Sequence, residues 1–166
     1  NDQNPPIMFY FLKGLLYEGN GEHASAVGVL RSSQQLWPQW LLPQVIEAQV
    51  QTKLDRHGDA ATLYRRVLSS NPDHAVARIE LALLEYKYFN HHSQAEQLLH
   101  QGLDSGGAPR GLQSRGYFGL AEISLGRGDQ AKALKFAQQA FSLNSSNAPA
   151  KNLIVQLGGV EKLKGT

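Results

Sequence analysis

Cysteine is missing from this chain and methionine occurs once. The first absence removes thiol nucleophiles, thiolate-bound zinc and disulfides, and it leaves the redox compartment open. No apolar run approaches the roughly 20 residues of a membrane-spanning helix, so no membrane insertion is expected. Concentrated basic charge is missing too. The formal net charge is +2, and the tightest basic pair is Arg65-Arg66, inside a helical pattern. Phosphate neutralisation supplies most of the affinity for nucleic acid, so no nucleic-acid partner is expected.

The sites of chemistry are equally sparse. Gly14, Gly19 and Gly21 lead to no Gly-Lys-Ser/Thr, Gly126 and Gly128 fall in an inter-helix turn, and no serine sits in a nucleophile elbow. His91 and His92 are adjacent, whereas metal ligands on a helix sit three or four apart. With His23 and His57 they read as surface or packing residues, and acid pairs such as Glu80/Glu85 read as solvated helix faces. The expectation is no enzyme, no catalytic residue, no metal and no cofactor. The chain opens Asn1-Asp2-Gln3 without Met or a signal peptide. It reads as a processed protein or an excised domain, soluble in cytoplasm or periplasm.

What is present is a repeat. Gly21-Glu22-His23-Ala24-Ser25-Ala26 leads to Leu30 and Pro38, and Asp55 through Ala60 leads to Tyr64 and Pro72. Ala26 and Ala60 lie 34 residues apart, as do Pro38 and Pro72. Ala95, Leu99 and Leu103 continue the series one residue late. Gly128-Asp129, Ala133 and Ala140 continue it after the bend Asp104-Ser105-Gly106-Gly107-Ala108-Pro109. Upstream of each Ala, a first helix carries a small residue (Gly14, Ala48, Ala82, Ala121), flanked in places by Tyr10, Tyr17 and Tyr117. Small side chains at helix contacts let two helices cross closely, and a period of this size dictates a stacked architecture.

On these residues the chain resembles the tetratricopeptide repeat family, over roughly residues 7 to 147. Lys13 and Glu47 stand where that family places leucine, and Ser33 and Gly102 where it places alanine. The resemblance implies an all-α fold: a right-handed α-solenoid of about four helical hairpins plus a C-terminal capping helix. The repeats fall at 7–38, 39–72, 73–108 and 109–147, with the capping helix at 148–158. Residues 1–6 read as an N-terminal extension and 159–166 as a tail. Helices are expected near 7–19, 23–35, 40–54, 57–69, 74–88, 92–103, 110–126, 130–142 and 148–158. Asn147 caps the last one and Pro149 suits its first turn. Trp37 and Trp40, near the first inter-repeat turn, are expected to staple the first two hairpins.

In the family, the concave groove is lined by first helices, just after the small residue and three before it. Here those positions hold Leu15, Gln49, Leu83 and Glu122, and Phe11, Val45, Ile79 and Phe118, with Met8 extending the row. The Asn/Lys carboxylate clamp of some family members is not present. The resemblance implies a non-catalytic scaffold or adaptor whose apolar groove takes a helix or extended segment of a protein partner; the same residues read equally well as half-buried packing or as a face covered by a further domain. Bacterial envelope, pilus and secretion assemblies are settings it suggests. The alternative is the regulatory part of an enzyme or transcription regulator.

Overall fold

A computed structural model describes residues 7–158, and among them every regular element is an α-helix. The helices are α1 Ile7–Gly19, α2 His23–Leu36, α3 Leu41–Lys53, α4 His57–Ser70, α5 Ala75–Lys87, α6 His92–Asp104, α7 Arg110–Gly126, α8 Gln130–Leu143 and α9 Ala148–Gln156. The expected extension 1–6 and tail 159–166 lie outside the described residues. Two compact units divide the chain, one ending at Pro72 and the other starting at Asp73. The first holds the hairpins α1/α2 and α3/α4. The second holds α5/α6 and α7/α8, with α9 packed on α8.

One backbone device closes every hairpin. Gly21, Asp55, Asn90 and Gly128 all adopt positive φ, between 58° and 79°, and each stands five residues before the Ala that opens the second helix. Left-handed geometry suits Gly, Asn and Asp, which is why the turn signal in the sequence alternates among these types. Around it, backbone N–H groups of Glu22, Arg56 and Asp129 donate to the carbonyls of Tyr17, Gln51 and Ser124 at 2.8, 2.9 and 3.0 Å. In the third hairpin, His91 N–H reaches back one residue further, to Glu85 O at 2.9 Å. The extra residue of that repeat is therefore absorbed in this turn. The next helix starts are capped by side chains: His74 accepts from Ala77 N–H, Asp129 from Lys132 N–H and Asn147 from Ala150 N–H.

Packing follows the repeat register. In the first unit, Phe11, Ala26, Val27, Leu30 and Val50 form one core. In the second, Ile79, Leu83, Leu99, Leu120 and Ile123 form another, and Ala121, Ala137, Leu153 and Ile154 a third under α9. The small slots are needed. Gly102, where the family has alanine, is a closer approach still: a Cβ there would stand 2.8 Å from Ile79 Cγ1 and 3.1 Å from Arg78 Cβ.

Three rows, five and two before the small slot and two after it, face the preceding hairpin of the same unit in α3, α7 and α9. In α7 these are Gly116, Gly119 and Ile123, all buried. A Cβ at Gly119 would meet Leu83 and Leu99 at 3.1 and 3.3 Å. In α3 they are Pro43, Ile46 and Val50, and in α9 Ala150, Leu153 and Leu157, buried or half-buried throughout. In α1 the same rows are Phe9, Leu12 and Leu16, exposed by 50%, 56% and 62%.

Several polar side chains occupy slots where the repeat calls for apolar ones. Gln51, Glu85 and Ser124 all stand three after the small residue, the slot filled by Tyr17 in α1, and all are buried. Ser124 Oγ donates to Leu120 O at 2.8 Å. Glu85 Oε2 lies 2.6 Å from His91 Nδ1, so Glu85 is an interior acid and His91 its partner at the turn, not the solvated face expected from sequence. Ser114 Oγ donates to Ala140 O at 2.7 Å and accepts from Asn147 Nδ2 at 2.9 Å, tying α7, α8 and the start of α9 together.

Candidate functional site

The first helices of the second unit and the start of α9 enclose a cavity of about 430 Å3. Leu83 of α5 and Leu112 and Phe118 of α7 supply its apolar wall. Lys87, Arg115 and Glu122 supply charge, and Asn144, Asn147 and Pro149 close the α9 side. Phe118 and Glu122 face the same way because they lie one helical turn apart on α7. Arg115 is held by a two-pronged pair with Glu80, both contacts at 3.1 Å, which fixes its guanidinium at the rim.

Glu122 is the distinctive group. One of its oxygens, Oε2, is buried and accepts no hydrogen bond from any described residue. Burial pushes its carboxyl above the ordinary carboxylate range, and the Lys87 ammonium counteracts part of that rise. Burial, then the Glu122 charge, also raises the Tyr86 phenol. The arrangement joins an apolar wall to an unsatisfied acceptor. A segment that brings an apolar side chain and a hydrogen-bond donor side by side would complete it.

Of the nine residues expected to line the groove, the structure brings Leu83, Phe118 and Glu122 into this cavity. Phe11, Val45 and Ile79 are instead seated in the cores. Phe11 stacks on Trp40 with ring centroids 4.6 Å apart, and Ile79 lies against Gly102. The position three before the small residue thus points inward in α1, α3 and α5 and opens only in α7. Leu15 and Gln49 are half-buried, and Met8 is exposed on α1. Trp40 staples the first two hairpins as expected, but Trp37 does not, being 53% exposed. The sequence reading missed Lys87, Arg115 and Asn147. Their signal was the position, one helical turn beyond each groove slot or at the α9 cap.

Among the described residues no group of three His, Cys, Asp or Glu is placed to hold a metal ion. No helix there is long and apolar enough to cross a membrane.

Stacked pairs of antiparallel helices with a positive-φ turn and small residues at each crossing define the class of helical-hairpin repeat proteins. Residues 47–88 match the tetratricopeptide repeat family, and the same helical hairpin recurs on either side of that segment. Solved structures of similar fold include that reported under "Functional Characterization of Pseudomonas Aeruginosa pilF". It is 21% identical, with a TM-score of 0.78 over 94% of this chain and 69% of that one. PilW, described as a widely conserved type IV pilus biogenesis factor, is 14% identical, with a TM-score of 0.79 over 93% and 71%. MamA from Desulfovibrio magneticus RS-1 is 16% identical, with a TM-score of 0.71 over 96% and 97%. At these identities the likeness is one of fold. No curated protein matches the chain in sequence.

Proposed function

We propose that the chain is a protein-interaction scaffold, and that the cavity between α5, α7 and α9 is where it takes a partner segment. The observation that carries this reading is the buried, unsatisfied Glu122 oxygen beside the half-buried Phe118 and the Leu83–Leu112 wall. An interior acceptor left without a donor is costly, and a bound segment carrying a Lys, Arg or backbone N–H donor next to an apolar anchor removes that cost. An amphipathic helix or a short extended stretch satisfies both demands. The fold likeness to a type IV pilus biogenesis factor supports an assembly role of the envelope or pilus kind.

The test is quantitative affinity capture from lysate with the native chain, Phe118→Ser and Glu122→Lys, each checked for native helicity. The reading expects one set of captured proteins to be lost in both variants. A capture profile unchanged by either variant would sink it.

A further inference from the structure

A second hollow, of about 460 Å3, lies in the first unit between the second helices α2 and α4, above Glu47 of α3. It exists because of one departure from the repeat. Glu47 stands just before the small residue, where α5 and α7 have the buried Leu81 and Leu120. In the second unit the corresponding spot is plugged: Leu120 sits in the core, Phe136 packs against that core, and the His100 ring lies 6.0 Å from Phe136. In the first unit, Arg31 takes the place of His100 and Leu63 that of Phe136. The plug becomes a polar chamber. Replacing a core leucine with glutamate breaks the local rule of the fold, and such breaks concentrate where a protein binds something.

The carboxylate of Glu47, 2% exposed, is fully engaged inside the protein. Oε1 accepts from Arg31 Nε at 2.8 Å and from Gln51 Nε2 at 3.3 Å, and Oε2 accepts from Gln34 Nε2 at 2.7 Å. Its effect is to aim Arg31: held through Nε, the guanidinium keeps its two terminal nitrogens free for a ligand. Arg66, on the opposite wall, makes no ion pair with any described residue. Two guanidinium groups, one pre-oriented by a buried acid, form a fork suited to a carboxylate. Asp59 shares the lining with Glu47, so two carboxylates stand against the two guanidinium groups, Glu47 spent on Arg31 and Asp59 facing the ligand as a like charge. That tolerates a carboxylate monoanion better than a phosphate dianion.

We propose that this hollow binds an acidic peptide segment, one Glu or Asp side chain entering between Arg31 and Arg66 with its methylenes on Leu63. It is separate from the groove in the second unit and does not depend on it. The probe is a blocked tetraglutamate peptide, with blocked tetraglutamine and inorganic phosphate as comparisons, followed through the Arg Nε–H resonances of the full chain.

Tetraglutamate is expected to shift Arg31 Nε–H. Arg66→Gln, an exposed change that leaves the fold intact, weakens binding about tenfold, the loss of one charge-assisted pair. Glu47→Leu restores the plug, keeps or raises the melting temperature, and abolishes the Arg31 response. Asp59→Asn tightens binding several-fold. Equal binding of tetraglutamine, phosphate binding as tight as the peptide, or an undiminished response in Arg66→Gln would each overturn the proposal.

Discussion

Leu16 and Val50 occupy the same repeat slot, two after the small residue, in consecutive first helices of one unit, and so they measure what the slot is worth when it is covered and when it is not. Val50 is fully buried among Phe11, Ala26, Val27 and Leu30. Leu16 is 62% exposed. Truncating Val50 to Ala removes two methyl groups from a closed core. At roughly 0.8 kcal/mol per group for transfer, plus the residual cavity, the cost comes to about 2–3 kcal/mol. Truncating Leu16 to Ala removes more carbon atoms but little buried area, and alanine is the better helix former, so the change stays within about 0.5 kcal/mol. Urea unfolding followed by circular dichroism reads both values, with amide exchange in α1 and α3 assigning them to the first unit. Equal losses for the two variants would refute the reasoning, because they would mean that the α1 row is covered in solution.

Three further outcomes follow from the packing and charge. Gly102→Ala should destabilise the α5/α6 hairpin by about 1–3 kcal/mol, because the new Cβ meets Ile79 and Arg78; a neutral or stabilising change in thermal unfolding would contradict this close approach. Asn147→Ala removes the α9 cap and the bond to Ser114 and should cost about 1–2 kcal/mol, read as faster amide exchange in α9. Glu122→Gln tests the raised carboxyl. A carboxyl raised by folding favours the folded state most at acid pH, and that contribution is lost as pH climbs from about 4.3 through the raised value. The glutamine variant should therefore gain stability over the native chain as pH increases across that window, and a constant difference across it would show that the carboxyl is not perturbed.

Much of the architecture could be read from residue spacing. The 34-residue step between Ala26 and Ala60 located the hairpins, and the Gly, Asp and Asn turn residues marked positions that the backbone does hold at positive φ. The one-residue excess before Ala95 is the longer turn at Asn90. Depth was harder to read. Phe11, Val45 and Ile79 share a slot with Phe118, yet only Phe118 opens onto a cavity, because burial depends on neighbouring hairpins and not on periodicity along one helix. Buried acids were opaque for the same reason. Glu47 is made tenable by Arg31 and Gln34, which are 16 and 13 residues away, and Glu85 by His91 across a turn. Sequence spacing shows where a side chain points but not which donors meet it there.

The central claim, that the α5–α7–α9 cavity takes a partner segment, is tested most directly by photo-cross-linking in cells. A benzophenone side chain replaces Gly111, an exposed lining residue where a side chain meets nothing, and in a second strain Gln138 of α8. The account predicts a discrete adduct band from position 111 and none of that mass from position 138. No adduct at 111, or the same bands from both positions, would contradict it.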